Sequence, residues 1–201
     1  MSTCGPPDVA GLILAAGESR RMGFPKALLE YRGETFLDKL CGLFAARCSP
    51  VIVVLGAGAE EIRARAGRPA TFVVNPEYRN GQTSSMQCGL RALPPAASGV
   101  LFTLVDHPAV APATIDALLA AGDDGSGALL RLPRYQGRRG HPVWFSSRLI
   151  PEFLALPADG AARDVVHSHV AETLYLDVDD SGIVADIDDP EAYRNLIGAR
   201  V

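Results

Sequence analysis

Short apolar segments alternate with segments of helical periodicity along this chain, and that alternation restricts the possible folds more than any other feature. The run VIVVL at 51–55 is β-branched and unbroken, which is typical of a parallel strand covered on both faces. The segment TFLDKLCGLFAA at 35–46 instead repeats its apolar residues at helical spacing. A succession of such β-α units predicts an α/β fold with a mostly parallel central sheet and helices on both faces.

The same patterns predict the order of the elements. Strands are expected at 9–14, 51–55, 71–74, 100–105 and 173–177, and helices at 35–46, 60–66, 84–93, 112–120, 146–156, 161–170 and 190–197. The second half is less regular. Strand-like segments at 128–132 and 142–145 flank RYQGRRGH, which predicts a small β insertion that projects as a loop or hairpin. No repeat or linker divides the 201 residues, so one domain spanning 1–201 is expected.

Charge and composition exclude several functional classes. The formal net charge is −4, which gives no indication of nucleic acid or an anionic membrane as a partner. No segment approaches the ~20 apolar residues of a membrane span, and MSTCGPPDVA lacks the basic and apolar regions of a signal peptide. Cys4, Cys41, Cys48 and Cys88 form no C-x-x-C pair, which indicates free thiols in a reducing compartment. We therefore expect a cytoplasmic protein.

The segment LILAAGESRRMGFPK at 12–26 has the features of a phosphate-binding loop. It follows the first predicted strand, which ends near Leu14, and ligands of open α/β sheets bind beyond the carboxyl ends of the strands. Ala15, Ala16 and Gly17 are small enough for the backbone to approach a ligand. The loop also carries three cations, Arg20, Arg21 and Lys26. These features predict a nucleoside triphosphate as the ligand; the alternative is a solvated loop with a chance cluster of basic residues.

The loop differs from two common phosphate-binding motifs. The Walker A pattern G-x-x-x-x-G-K-[ST] is absent. The dinucleotide pattern G-x-G-x-x-G is absent too, since Gly17 and Gly23 lie too far apart and cations fill the interval. An oxidoreductase of the dinucleotide-binding type is therefore disfavoured.

Two acidic segments are candidates for holding the Mg²⁺ that a triphosphate needs. Asp106 directly follows the apolar run LFTLV at the end of a predicted strand, and the alternative is a residue that caps a turn. Strand-like alternation puts Asp186 and Asp188 on one face. Either Asp188 or Asp189 could instead cap the helix that begins at 190, and Asp189 suits that position better. A further acidic group is expected to form a solvated turn: Asp177, Asp179 and Asp180.

Several motifs resemble a known family. LILAAGESRRMGFPKALL is similar to the signature L-A-A-G-x-S-x-R-M-G-x-x-K of the MobA-like nucleotidyltransferases, and most similar to their molybdenum cofactor cytidylyltransferase branch, the MocA type. The resemblance continues in family order through NPEYRNGQTSSMQCGL, LFTLVDHP, GRRGHPVWF, DGAAR and DIDDPEAY, so it covers nearly the whole chain. It implies a Rossmann-like nucleotidyltransferase fold.

The resemblance also implies a reaction, the transfer of CMP from CTP to the phosphate of molybdopterin (the molybdenum cofactor) with release of pyrophosphate. In that reaction Lys26 stabilises charge on the α-phosphate and the leaving group, while Arg20 and Arg21 hold the β- and γ-phosphates. Asp106 and Asp188 hold Mg²⁺. The implied partners are CTP, the pterin acceptor, and a molybdenum hydroxylase or its maturation factor.

The expected nucleotide contacts follow from the same resemblance. GTP-using relatives typically read L-A-G-G, whereas this chain reads L-A-A-G. A methyl group at Ala16 would crowd a purine more than a pyrimidine, and Ser19 also fits the cytidylyl pattern, so CTP is favoured. The implied contact residues are Leu14, Ala15, Ala16, Gly17, Ser19, Asn75, Gly81, Ser84 and Ser85. For Asn75 the alternative is a turn before a proline, and for the others near 81–85 it is a helix entry capped by Thr83 or Ser84.

Acceptor contacts are implied at His107 and in the second half of the chain, at Arg139, Gly140, His141 and Arg163. His107 stands where the family often has Met, so it either contacts substrate or fills space. Arg138 and Arg139 could instead form a solvated turn. Trp144 and Phe145 are expected in the core. His167 and His169 are expected in a helix without an evident set of partners.

Other functions stay open on the sequence alone. One keeps the chemistry and changes the substrate: guanylyl transfer to molybdopterin, or cytidylyl transfer to a sugar or polyol phosphate. Another is a nucleotide-binding regulator of cofactor maturation that does not catalyse. The joint presence of Lys26, Asp106 and Asp188 favours an enzyme, because a protein without catalysis has no need of all three.

Overall fold

The strands and helices follow the alternation expected from the sequence. The computed structural model describes residues 9–121, 127–157 and 160–198, so Cys4, and Asp159 of the DGAAR segment, lie outside the described residues. The strands are β1 Val9–Ala15, β2 Glu30–Tyr31, β3 Glu34–Thr35, β4 Val51–Leu55, β5 Thr71–Val74, β6 Gly99–Leu104, β7 Leu130–Tyr135, β8 Arg138–Arg139, β9 Val143–Ser146 and β10 Thr173–Asp177. The α-helices are α1 Phe36–Ala45, α2 Ala59–Arg65, α3 Gln82–Arg91, α4 Pro112–Ala120, α5 Ile150–Ala155, α6 Ala162–Ser168 and α7 Pro190–Gly198.

The central sheet is mostly parallel, as predicted. Its order is β10-β7-β9-β6-β1-β4-β5, and β8 pairs with β7. β1 is parallel to both β4 and β6, β4 is parallel to β5, and β7 is parallel to β10. β9 lies between β6 and β7 and is antiparallel to both. β1 and β6 are therefore adjacent and point the same way, and the segments that follow them meet at one edge of the sheet.

Helices cover both faces of the sheet, which explains the continuous apolar run of β1. Ile13 and Ala15 face a layer formed by α1, α2, α4 and α7. Leu12 and Leu14 face the opposite layer, formed by α3, α5 and α6. Since both sets of side chains are removed from water, the strand needs apolar residues at every position. Trp144 and Phe145 of β9 lie in these two core layers, so the prediction that they belong to the core is confirmed.

The β insertion of the second half forms the hairpin predicted between 128 and 145. β7 and β8 are joined by Gln136 and Gly137, whose φ angles of 48° and 79° suit a two-residue hairpin turn. The predicted helix at 146–156 divides into a 3₁₀ turn, Ser147–Leu149, and the shorter α5, which has Pro151 in its first turn. The small β2–β3 hairpin was not predicted, because two-residue strands carry no periodic signal.

The acidic turn near 180 differs from its prediction at one residue. Asp177 is exposed and pairs with Arg134 at 2.7 Å, and Asp179 is also exposed, as expected of a solvated turn. Asp180 is instead buried. Its carboxylate accepts hydrogen bonds from the Thr114 hydroxyl at 2.6 Å and from the backbone N–H groups of Ala111 and Gly182. Asp180 therefore fixes the start of α4 against the segment that leads to α7.

Two further expectations concern the whole chain. Cys41, Cys48 and Cys88, the cysteines among the described residues, are free thiols. Burial raises the pKa of Cys41 and of Cys48 to about 12, so neither thiol ionises at neutral pH. In the described ranges, no helix has the length and apolar character that crossing a membrane requires.

The role of Asp180 predicts a large loss of stability on substitution. Asp180→Ala leaves three hydrogen-bond donors without their acceptor, two of them backbone N–H groups, and should lower the free energy of unfolding by about 2–3 kcal/mol. Urea denaturation followed by circular dichroism measures the change. Asp179→Ala is the matched control because it removes the same side chain from an exposed neighbour. Equal stability of the two variants would refute the structural role.

Candidate active site

A cavity of about 370 Å³ opens beyond the carboxyl ends of β1 and β6. One wall is the loop that follows β1, and the opposite wall is the start of α3. The cavity is lined by residues that share this position: Leu14, Ala15, Ala16, Gly17, Ser19, Arg20, Arg21, Pro25, Lys26, Ala27, Ile62, Tyr78, Gly81, Gln82, Ser85, Leu104, Val105, Asp106 and Asp188. We call it the first cavity. It brings the predicted loop and both predicted acidic residues to one place.

Ser19 determines the path of the loop after β1. Its φ angle of 50° lies in the left-handed region, and its carbonyl oxygen accepts hydrogen bonds from the N–H groups of Met22 and Gly23. Its side-chain oxygen accepts a hydrogen bond of 3.1 Å from the backbone N–H of Lys26. The loop thus closes on itself, and Lys26 at its end is directed into the first cavity. Ser19 was predicted to contact the nucleotide, and the structure adds this role in shaping the loop.

Lys26 joins the loop to two acidic residues from distant parts of the chain. Its ammonium nitrogen lies 3.1 Å from Asp106 Oδ2 and 2.5 Å from Asp188 Oδ1. Arg21 donates a hydrogen bond of 2.7 Å to the other oxygen of Asp188. The side chains of Lys26 and Asp106 are only 13% and 16% exposed, so water screens their attraction less than at an open surface. We call Lys26, Asp106 and Asp188 the charge cluster.

The backbone holds the two acidic segments of the charge cluster together. The N–H of Ile187, which is buried, donates a hydrogen bond of 2.9 Å to the carbonyl oxygen of Asp106. Asp189 caps α7, since its side chain accepts hydrogen bonds from the N–H groups of Glu191 and Ala192. Asp189 is therefore the cap, as its position suggested, and Asp188 is left to face the cavity.

Neighbouring cations change the acidity of Asp188. The hydrogen bond from Lys26, and to a lesser extent the one from Arg21, lowers the pKa of the Asp188 carboxyl below its ordinary value. Asp188 is therefore ionised through the neutral range, and it keeps its charge in mildly acidic solution. The ionised form of a carboxylate pairs with cationic side chains such as Lys26 and Arg21. It is also the form that binds divalent metal ions.

The charge cluster fits a divalent metal. Within the described ranges, Asp106 Oδ1 is buried and has no hydrogen-bond partner, so one oxygen of this carboxylate is available to a ligand. Carboxylate oxygens are the ligands that Mg²⁺ and Mn²⁺ prefer, and such ions usually take one or two carboxylates with water and phosphate oxygens. No group of three or more possible ligands occurs in the part of the chain that the structure describes. Asp106 and Asp188 would thus share the ion with a substrate.

Arg20 has a different partner from the one expected. Its side chain contacts the carboxylate of Glu18, which also accepts a hydrogen bond of 3.1 Å from Arg79. These two cations lower the pKa of Glu18. Glu18 and Arg79 were not singled out in the sequence, because their meeting depends on the fold of the loop against the 3₁₀ turn Tyr78–Asn80.

Asn75 and Ser84 do not line the first cavity, although both were predicted to contact the nucleotide. The side-chain nitrogen of Asn75 donates to the hydroxyls of Ser84 and Ser85 at 3.0 and 3.1 Å, and its side-chain oxygen accepts from the N–H of Glu77. Asn75 is thus a turn residue, the alternative that the sequence offered. The Ser84 hydroxyl donates to backbone carbonyls of Glu77 and Gly81.

Gly81 and Ser85 do line the first cavity. α3 begins at Gln82 with Gly81 before it, and no side chain caps the helix, so the predicted cap at Thr83 or Ser84 is wrong. The Thr83 hydroxyl donates instead to the carbonyl of Gly160. Gly81 has a φ angle of 104°, a conformation that side chains disfavour, which accounts for a glycine at this entry.

A second cavity, of about 310 Å³, lies beside the first under β7, β9 and α6. Its base is apolar and includes Phe102, Leu132, Phe145 and Phe153. Four of the predicted acceptor residues line it, namely Arg139, Gly140, His141 and Arg163. His167 lines it too and was missed. The signal was its position four residues after Arg163, which puts both side chains on one face of α6.

His107 does not line the second cavity and is buried behind it. Its ring lies 4.8 Å from the ring of His141, and its Nε2 lies 3.7 Å from Asp106 Oδ1. Burial lowers the pKa of His107. Burial, followed by repulsion from His107, lowers the pKa of His141 to about 3. Both rings are therefore neutral at physiological pH, and the predicted direct contact of His107 with an acceptor is not supported by its position.

Arg138 and Arg139 form the exposed strand β8 of the hairpin. Arg139 reaches the second cavity, and its guanidinium lies 5.3 Å from the centre of the Tyr175 ring. The next residue, Gly140, has no space for a side chain, because a Cβ atom there would lie 2.0 Å from the carbonyl oxygen of Ile183. His169 is not without partners: its Nε2 lies 2.8 Å from Glu152 Oε2.

Transfer of a nucleotidyl group requires cations for a polyphosphate and carboxylates for a metal beside one cavity, and the loop after β1 and the charge cluster supply both. The chain is accordingly an enzyme of the nucleotidyltransferase class, with the Rossmann-like fold of that class. Comparison with known sequences specifies the family. Residues 11–173 match the MobA-like NTP transferase domain, and the chain belongs to that family.

Curated relatives carry several different names. The chain is 34% identical to nicotine blue oxidoreductase from Paenarthrobacter nicotinovorans, over 95% of this chain and 97% of the relative. It is 25% identical to molybdenum cofactor cytidylyltransferase from Escherichia coli, over 90% and 92%. A probable molybdenum cofactor guanylyltransferase from Mycobacterium avium is 37% identical over 56% of each chain.

Solved structures agree with the fold. Rv0371c from Mycobacterium tuberculosis has a TM-score of 0.82 and 32% identity, covering 98% of this chain and 100% of that one. A complex of Rv0371c with manganese has a TM-score of 0.77 and 30% identity, covering 96% and 99%. The likeness of the fold extends over nearly all of both chains.

The charge cluster predicts a change in the titration of Asp188. Lys26→Met keeps most of the side-chain volume and removes the cation that contributes most to the lowered pKa of Asp188, so that pKa should rise towards its ordinary value. Carboxyl ¹³C NMR as a function of pH measures it. Lys39→Met, at the other lysine of the chain, is the control. An unchanged Asp188 titration in Lys26→Met would contradict the pairing.

Proposed function

We propose that this protein transfers CMP from CTP to the phosphate of molybdopterin and releases pyrophosphate. The observation that carries the proposal is the Lys26 ammonium between the carboxylates of Asp106 and Asp188, at a cavity walled by a cation-bearing loop. Catalysis of phosphoryl-type transfer consists mainly of positioning and charge stabilisation, with little covalent work for the protein. The charge cluster suits that kind of catalysis.

The cations of the loop act on the triphosphate. Lys26 stabilises the charge that develops on the α-phosphate and on the departing pyrophosphate. Arg21 exchanges part of its contact with Asp188 for a phosphate oxygen. Arg20 binds the terminal phosphates after it releases Glu18, and its guanidinium suits two parallel hydrogen bonds to phosphate oxygens. The N–H groups of the loop around Gly17 add neutral donors, because a side chain is absent there and the space is open.

Asp106 and Asp188 would hold a divalent metal, for which we propose Mg²⁺. When bound, the ion neutralises part of the triphosphate charge and polarises the phosphate that is attacked. Support comes from the unpartnered oxygen of Asp106 and from the manganese complex of Rv0371c, to which this chain is similar. In the protein alone, Lys26 and Arg21 together compensate the charge of both carboxylates.

The second cavity takes the acceptor. Its apolar base suits a flat heterocycle, and Arg139 and Arg163 at its edge suit an anionic group. The attacking phosphate is already ionised at neutral pH, so no general base is required. The neutral ring of His141 is then a hydrogen-bonding and packing surface for the acceptor. A molybdenum hydroxylase or its maturation factor as the recipient of the product, and a cytoplasmic location, stay predictions from the sequence.

CTP is proposed over GTP because of Ala16. This residue is buried, and its carbonyl oxygen accepts a hydrogen bond from the N–H of Ala57, so the backbone that carries the methyl group is fixed. A fixed methyl group at the cavity wall reduces the room for a purine. Relatives named for cytidylyl and for guanylyl transfer are both similar to this chain, so the preference depends on the residue and not on the names.

Hydride transfer is the second candidate, since the relative from Paenarthrobacter nicotinovorans is named an oxidoreductase. For this chain the loop after β1 reads LAAGESRRMG and not G-x-G-x-x-G, and it presents cations in place of the closely spaced glycines of a dinucleotide site. An assay of the purified protein distinguishes the two candidates. It measures the oxidation of NADH or NADPH with nicotine blue as the hydride acceptor. We expect no oxidation above the rate without protein.

A four-nucleotide screen tests the proposed reaction and the role of Lys26. Pyrophosphate release should require CTP, Mg²⁺ and molybdopterin together, and sugar phosphates should not replace the pterin. Lys26→Ala should lower kcat by about 10²–10³-fold, the typical cost of removing one preorganised charge stabiliser. Lys39→Ala should leave the rate unchanged. A Lys26→Ala variant with near-normal turnover would remove Lys26 from the mechanism.

The steric role of Ala16 predicts a change in nucleotide preference. Ala16→Gly removes the methyl group and should raise kcat/KM for GTP relative to CTP by about tenfold, within the range that one methyl-sized contact supplies. Ala10→Gly makes the same change at a buried position of β1 that lines neither cavity, and it controls for lost stability. Equal turnover of GTP and CTP by the unaltered protein would refute the argument.

A further inference from the structure

Gln82 occupies a position that no other described residue shares. It lines the first cavity and also the second, whereas the remaining lining residues belong to one cavity or the other. The first cavity holds the charge cluster and the loop cations. The second holds the apolar base and Arg139, His141 and Arg163. Gln82 therefore marks the place where a molecule in one cavity meets a molecule in the other.

The side chain of Gln82 is available for such a contact. It is exposed, and it makes no hydrogen bond to any part of the chain that the structure describes. Gln87, five residues later on the same helix, behaves in the opposite way: its side-chain nitrogen donates to the backbone carbonyls of Phe153, Leu154 and Leu156. Gln87 thus attaches α3 to α5. Gln82 makes no comparable contact within the described residues, so a structural role does not explain the glutamine at this position.

The surroundings of Gln82 favour an anionic oxygen. Gln82 is the first residue of α3, and no side chain occupies the N-terminal N–H groups of this ten-residue helix. Lys26 and Asp106 lie across the first cavity, and Ser85 contributes a hydroxyl to the same wall. A neutral amide can donate to a phosphate oxygen without repelling a second phosphate or a metal ion, which a cation would do.

We infer that Gln82 binds the attacking phosphate of the acceptor at the junction of the two cavities and aligns it with the α-phosphate of the nucleotide. This inference rests on the proposed function and names a residue that touches the acceptor where the two cavities meet. The side-chain N–H donates to a non-bridging oxygen of the attacking phosphate. Correct alignment of two bound reactants contributes strongly to such a transfer.

The transfer balances without a proton at Gln82. An ionised oxygen of the acceptor phosphate forms a new bond to the α-phosphorus. The bond from that phosphorus to the oxygen that bridges to the β-phosphate breaks, and pyrophosphate leaves with the electron pair. Gln82 keeps its amide protons throughout, so its contribution should be independent of pH between 6 and 8, within about a factor of two.

Three variants of Gln82 test the inference by kinetics. Gln82→Glu keeps the shape and adds a negative charge against the phosphate, so kcat/KM for molybdopterin should fall by about 100-fold. Gln82→Ala should lower it by about tenfold, and Gln82→Asn should recover part of the loss. Gln136→Glu adds the same charge at an exposed glutamine that lines neither cavity and should leave the rate unchanged. Normal kcat/KM in both Gln82→Glu and Gln82→Ala would overturn the inference.

A binding measurement separates this inference from the proposed function. Calorimetry with inorganic phosphate as the probe, on protein loaded with a non-hydrolysable CTP analogue, should show phosphate binding that Gln82→Glu weakens at least tenfold and Gln136→Glu does not. If phosphate binds in this way but molybdopterin accepts no CMP, the proposed function fails and the junction site stands. If CMP is transferred but Gln82→Glu binds phosphate as tightly as the unaltered protein, the inference is wrong and the function stands.

Discussion

The site depends on one electrostatic arrangement, the ammonium of Lys26 between the carboxylates of Asp106 and Asp188. These three residues come from the loop after β1, from the end of β6 and from the segment before α7. The adjacent parallel strands β1 and β6 deliver the first two to the same edge of the sheet. The hydrogen bond from Ile187 N–H to the Asp106 carbonyl brings the third to them. Without Lys26, two carboxylates would face each other at a partly buried site, and repulsion would oppose folding there.

The same arrangement suits the proposed binding of a triphosphate and a divalent metal. Each cation of the loop already has a carboxylate partner: Lys26 and Arg21 contact Asp188, and Arg20 contacts Glu18. In the proposed mechanism Asp106 and Asp188 would hold a divalent metal and the cations of the loop would bind phosphate oxygens, so no charge would be left uncompensated. The second cavity is different in character, with an apolar base and cations only at its edge. Under the proposed function, this difference keeps the two substrates in separate cavities, and both cavities are lined by Gln82.

Much of the fold could be predicted from the sequence, because the central strands β1, β4 and β6 are buried on both faces and the strands at the edges of the sheet still carry short apolar runs. β4, β5, β10 and α4 have the bounds expected from apolar runs and from a proline in the first helical turn. The antiparallel direction of β9 was not predictable, since a buried strand has the same apolar pattern in either direction. Asp180 was misjudged because three acidic residues within the segment 177–180 are typical of a solvated turn, and only tertiary contacts identify the one that is buried.

The residues of the candidate site likewise divide into those that the sequence predicts and those that it does not. The loop, Lys26, Asp106 and Asp188 come together as expected, because they follow strand ends or carry specific motifs. Asn75 and His107 do not reach a cavity, since their partners, Ser84, Ser85 and His141, are set by packing that the sequence does not encode locally. Glu18 was missed for that reason too, and the position of Gln82 between two cavities also depends on packing. His167, in contrast, had a local signal in its spacing of four residues from Arg163. Residues at strand ends are predictable, whereas residues that act through side-chain neighbours are not.

The most direct test of the central claim is to follow the α-phosphorus of CTP. CTP labelled with ³²P at the α-position is incubated with the protein, Mg²⁺ and molybdopterin, and the pterin products are separated and counted. The account predicts that the label moves to the pterin in equal amount to the pyrophosphate released, and that the Lys26→Ala variant transfers almost none. Label that stays in CTP, or that appears as free CMP without a labelled pterin, would contradict it.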